Sequence, residues 1–172
     1  MNDNKLSIRI GNTTYRTDYL DLELLKKITF DLYLNSISSQ KNKTNIIETI
    51  GQYNEANEWV YENADDFRQG SCQLFALALH HIFGYSSYII NEDSSNHYFC
   101  KKSCGGTTYY IDVRGKTTDF NIFCESLSFL HPKLDTSTIY RIEDEMPDEK
   151  IHLIGLGFAR WIIKTNPVLY KI

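Results

Sequence analysis

The chain has 172 residues, of which 42% are hydrophobic and 23% charged, enough to form one domain over 1–172 around one core without disulfide or metal staples. Its net charge of −4 and isoelectric point near 5.7, with no basic stripe, exclude binding dominated by nucleic-acid phosphates. The opening MNDNKLSIRIGN lacks a cationic region followed by an apolar one, and the most apolar stretch, IHLIGLGFARWII at 151–163, is too short for a bilayer; the sequence therefore predicts a soluble, cytoplasmic protein with no membrane partner.

KLSIRI, GN and TTYR predict a small hairpin turning at Gly11 and Asn12. From Leu22 to about Leu34 the residues Leu24, Leu25, Ile28, Leu32 and Tyr33 fall at the three- and four-residue steps of one helix face. SISSQKNKTN at 36–45 reads as a loop. Thr44 or Asn45 then caps a second helix running to about Asn63, with Ile47, Ile50, Tyr53, Trp59 and Val60 inward. The third helix lies in QGSCQLFALALHHIFG, where Gly84 is placed for a left-handed cap and apolar residues surround nearly the whole cylinder. Such a helix belongs in the middle of a domain. SSYIIN at 86–91 and the two halves of the next hairpin are strand candidates. TDFNIFCESL at 118–127 reads as a short helix, STIYRIE at 137–143 as a strand, DEMPDEK at 144–150 as a solvated loop, and 148–164 as a closing helix begun by Pro147 or Asp148. Helices followed by an antiparallel meander give an α+β fold, with a central helix packed on a small antiparallel sheet.

The stretch NHYFCKKSCGGTTYYID at 96–112 carries a histidine near one extremity and an aspartate at the other. A four-residue turn over Ser103–Gly106 sets Lys102 against Thr107, Phe99 against Tyr110 and His97 against Asp112. Directly opposed side chains share a sheet face with Cβ atoms about 4.5 to 5.5 Å apart, within reach of an imidazole–carboxylate hydrogen bond. Cys72 stands at the predicted first turn of the central helix, where unpaired N–H groups and the helix dipole stabilise a thiolate. The same N–H groups suit an oxyanion, with Gln69, three residues earlier in RQGSC, as a second donor. Cys72, His97, Asp112 and Gln69 are thus the candidate catalytic residues.

Cys72, His97, Asp112 and Gly115, in that order, resemble the papain-like superfamily, especially its transglutaminase-like and compact bacterial or phage branches. The likeness covers roughly 66–125: GSCQLFALAL looks like the nucleophile helix, NHYF like the histidine strand and YYIDVRG like the aspartate strand. It implies a Cys-His-Asp triad and acyl-transfer chemistry on a peptide or side-chain amide, by hydrolysis or by transglutamination and deamidation, with no cofactor.

Each residue also has an ordinary reading. An isolated helix cysteine is more often structural, a lone strand histidine more often a satisfied core residue, and a terminal strand aspartate a turn former. Their conjunction in order and predicted face favours catalysis. Zinc competes for His97, Cys100, Cys104 and Cys124, but His97 and Cys100 face opposite sides of a strand, so no metal is expected. All four cysteines are expected as thiols in a chain with no export signal. His80 and His81 point about 100° apart and suit surface or capping roles near Gly84. Tyr88, Tyr98, Tyr109 and Tyr110 read as sheet packing, Trp59 and Trp161 as core. The competing function is a non-catalytic effector or inhibitor that binds a protein partner through the same fold.

Overall fold

The computed structural model describes residues 5–56, 58, 60–92, 95–125, 133–135 and 149–172. The expected strand at 137–143, Pro147, Asp148 and Trp59 lie outside them. A first hairpin, β1 (Leu6–Ile10) and β2 (Thr13–Thr17), turns at Gly11 and Asn12, with Leu6 across from Thr17 and Ile10 across from Thr13. Three helices follow, α1 (Leu22–Lys27), α2 (Phe30–Ser36) and α3 (Gln40–Glu55). A 3-10 turn at Ala64–Phe67 leads into α4 (Cys72–Phe83). Next come β3 (Ser86–Glu92), β4 (Ser95–Cys104), β5 (Thr107–Asp112), β6 (Gly115–Thr117), α5 (Phe120–Glu125), β7 (Lys133–Asp135) and α6 (Lys150–Thr165). The second sheet is antiparallel throughout, in the order β6-β5-β4-β3-β7. The architecture is α+β, and among the described residues no helix is long and apolar enough to cross a membrane.

The single helix expected over 22–34 is two. Ile28 and Thr29 leave the helix because their backbone pairs elsewhere: the Ala64 N–H donates to Ile28 O at 2.9 Å, the Phe30 N–H to Glu62 O at 2.8 Å, and Thr29 bridges Asn63. Thr29 then caps α2 through its side chain. The expected loop at 36–45 is also corrected, since Ser39 rather than Thr44 or Asn45 caps α3 by accepting from the Asn42 N–H at 3.3 Å. This helix ends at Glu55, short of Asn63, and buries no residue fully. Ile46, not the half-exposed Ile47, turns inward with Ile50 and Tyr53.

The middle position expected for the third helix is the one observed. α4 lies between one face of the large sheet and α6, burying Leu74 through Leu79 without a break. Gly84 closes it in the left-handed region, φ 69°, and its N–H donates to His80 O. His80 reinforces that end by bonding Tyr85 O through Nδ1, while His81 meets Arg160 at the surface. α6 approaches so closely that a Cβ on Gly155 would lie 2.0 Å from Tyr61 Oη and 2.8 Å from Leu74 Cδ1. Gly155→Ala is accordingly expected to lower stability by about 1 to 3 kcal/mol, the range for overpacking a dense interior, readable as a lower urea midpoint. An unchanged midpoint would mean the Tyr61 ring moves aside at no cost.

Candidate active site

The hairpin that carries the histidine and aspartate turns more tightly than four residues. Gly105 and Gly106 alone form it, with φ of 57° and 80°, and Cys104 faces Thr107. Glycine adopts positive φ at both central positions without a Cβ clash, and that two-residue turn matches the twist of paired strands. Lys102 consequently faces Tyr109 and Lys101 faces Tyr110, a slip of two residues from the expected register. A slip of two preserves faces, whereas a slip of one would not. Continuing this register sets Asp112 diagonal to His97 rather than opposite it, on the same side. The His97 Nε2–H group donates to Asp112 Oδ2 at 2.9 Å, with both residues 2% exposed.

Cys72 completes the group from the first residue of α4. The chain reaches it through the 3-10 turn, which Asn63 and Asp66 fix with a reciprocal capping box, and through Gly70, whose φ of 93° redirects the backbone. Ladder pairing between β4 and β5 ends at Cys100 and Ile111, so Tyr98 lies beyond it; its N–H donates to Cys72 Sγ at 3.4 Å. The sulfur thus sits at the notch where the two strands part, in a residue only 5% exposed and against Tyr98, one position along β4 from His97. Since Nε2 is engaged by Asp112, Nδ1 is the imidazole nitrogen left for the thiol.

Electrostatics follow from this order. Burial pushes the Cys72 thiol up, but the hydrogen bond and charge of His97, with the N–H groups of Tyr98 and Gln73, outweigh it and hold the thiol below its ordinary value. Burial pushes His97 down, and Asp112 and Cys72 together carry it above the usual imidazole range. Burial raises Asp112, and the Arg114 guanidinium, then His97, hold its carboxyl well below the usual carboxylate range. Cys100 makes the contrast within the same protein. Buried with Ser87 and the Ala76 carbonyl as its partners, it is pushed up to about 12.

Gln69, the expected second oxyanion donor, is exposed in the loop before Cys72; its N–H donates to Asp65 O, and its side chain bonds none of the described residues. Arg114 was not anticipated. Its Nη2 lies 2.6 Å from Asp112 Oδ2 and its Nε 3.0 and 3.1 Å from the two carboxylate oxygens, while its own backbone N–H donates to Oδ1 at 2.9 Å. Nη2 also donates to Phe123 O at 2.9 Å, fastening α5 over the aspartate. Its place two residues after Asp112 was the available signal, but the role depends on the β5–β6 turn and on α5. His97 and Cys100 do point to opposite faces of β4, toward Asp112 and toward Ala76 of α4, and Cys104 is exposed at the turn. Among the described residues no three potential ligands gather for a metal ion. No family model, no curated protein and no solved structure matches the chain.

Proposed function

We propose that the protein is a thiol-dependent acyl-transfer enzyme of papain-like or transglutaminase-like type that hydrolyses a peptide or side-chain amide. One observation carries this reading: the thiol at the start of a buried helix accepts from the N–H of Tyr98, the residue next to His97, whose imidazole is held through Nε2 by a buried carboxylate. Cys72 thiolate attacks the amide carbonyl carbon, and the carbonyl π electrons move to oxygen. N–H groups at the start of α4 stabilise that oxyanion, and the Gln69 side chain would be the second donor. Collapse of the adduct breaks the C–N bond, and His97 gives its proton to the departing amine. The resulting thioester on Cys72 is attacked by water, which loses a proton to His97; the thiolate leaves and a carboxylic acid is released. An amine in place of water gives transglutamination. Asp112 keeps the imidazole oriented and stabilises its charged form.

Iodoacetamide at neutral pH is expected to alkylate Cys72 first, then exposed Cys104, and far more slowly Cys100 and Cys124, whose thiols burial raises. Peptide mass spectrometry reads the order. Alkylation of Cys104 ahead of Cys72 would remove the activated thiol. p-Nitrophenyl acetate, an activated ester, is expected to give one equivalent of nitrophenol in a burst that Cys72→Ala abolishes. No burst, with the fold intact, favours the non-catalytic effector.

A further inference from the structure

Asp112 Oδ2 accepts from both His97 and Arg114, and Cys72 lies against β4 beside His97, so four groups are linked in series: Cys72, His97, Asp112, Arg114. When the thiol is ionised and the imidazole protonated, the charges alternate and sum to zero. Arg114 is only 2% exposed, and its position is fixed from several directions. The Leu20 N–H donates to its carbonyl at 2.6 Å, and Tyr170 Oη donates to the neighbouring Val113 O at 3.0 Å. Its guanidinium carbon lies 4.9 Å from the Phe123 ring centroid and 5.3 Å from that of Tyr19. An aspartate held only by a histidine would leave this buried row with a net negative charge once Cys72 ionised, which the interior penalises.

We infer that Arg114 is a positioning residue whose fixed charge, acting through Asp112, places the pH window in which Cys72 is a thiolate facing an imidazolium. The inference rests on the acyl-transfer reading of this site. A fixed positive charge lowers the proton affinity of every group coupled to it, whichever member of the pair holds the proton. Loss of the Cys72 proton bounds the window on its acid side and loss of the His97 proton on its alkaline side. Removing Arg114 therefore raises both. A merely structural role would change the amount of reactive thiol without moving both limbs together. The other titratable groups around Arg114 do not replace it. Burial pushes the Tyr19 phenol far up and also raises the Cys124 thiol on α5, so both are neutral across the window. Asp21, Glu125 and Arg68 line a cavity of about 420 Å³ with Arg114, and Arg68 is itself held by Asp65 at 2.6 Å.

The experiment is the pH profile of Cys72 alkylation by iodoacetamide, followed by mass spectrometry alongside thiolate absorbance, in the full chain and in Arg114→Met, Arg114→Gln and Arg114→Lys. Both limbs are expected to move up by about one pH unit in the two uncharged variants, the lower end of the shift a nearby charge produces. Arg114→Lys, which keeps the charge, is expected to leave them in place. Arg114→Gln carries the test if Arg114→Met does not fold. Unmoved limbs in either folded uncharged variant overturn the inference, as do limbs displaced upward in Arg114→Lys to the same extent. A wild-type protein with no preferential alkylation of Cys72 would instead defeat the acyl-transfer reading itself.

Discussion

Replacing His97 with alanine is expected to slow alkylation of Cys72 at pH 7 by about a hundredfold and the proposed acyl transfer by about a thousandfold, within the range that a positioned acid–base group contributes. The protein contains its own comparison. Cys100, also buried but without an imidazole, has its proton affinity pushed up to about 12, whereas Cys72 is held below the ordinary thiol value. Without His97 the sulfur keeps the Tyr98 and Gln73 N–H groups but loses its largest stabilising partner, so its thiolate fraction falls. Asp112 does not become an orphan in this variant, because Arg114 still fills both its oxygens. The fold is therefore expected to survive, with circular dichroism unchanged and Cys104 labelled at its wild-type rate. A Cys72 that reacts as fast in His97→Ala as in the wild type would assign the activation to the helix terminus alone.

What the sequence disclosed depended on how local each cause was. Cys72 at the start of α4 was legible because the apolar residues of 72–83 and the left-handed Gly84 define that helix without reference to the rest of the chain. The meeting of His97 and Asp112 was legible for a coarser reason than the length of the turn. Strand alternation fixes only the face, and the Gly105–Gly106 turn slipped the register by two, an even number, so the pair survived an incorrect alignment. An odd slip would have separated them.

Non-local causes were not legible. The hydrophobic period through 22–34 is continuous, yet the backbone of 62–64 captures Ile28 and Phe30 and divides the helix there. Nothing near Thr29 in the sequence announces that competitor. The start of α3 is not legible because its first turns are polar; its helical state follows from the Ser39 cap and one shallow stripe rather than from burial. Arg114 is the clearest case. In DVRG it reads as a charged residue in a turn, and only the carbonyl of Phe123, the ring of Tyr19 and both oxygens of Asp112, brought together by the fold, make it part of the site.

Asp112→Ala is expected to destabilise the protein by about 3 to 5 kcal/mol at pH 7, the cost of leaving one member of a buried ion pair without the other. Arg114 is itself buried, and the Phe123 carbonyl does not supply the negative charge that its guanidinium loses. The same substitution removes the group that orients His97, so alkylation of Cys72 should also slow. The sign of the pH dependence follows from the depressed carboxyl: a group whose folded-state value lies below its unfolded one stabilises above the unfolded value, about 3.9, and loses that contribution as pH falls toward the folded one. The difference between wild type and Asp112→Ala should therefore be level from about pH 5 to 6 and shrink below about pH 4. His97 acts in the opposite sense, since its raised value gives stability that is complete below about 6.5 and declines as pH rises through the folded-state value. Urea unfolding at several pH values separates the two. Adding Arg114→Met to Asp112→Ala should recover part of the loss, because removing both charges costs less than stranding one. A double variant as unstable as the sum of its singles would show that Arg114 is anchored independently of the aspartate it faces.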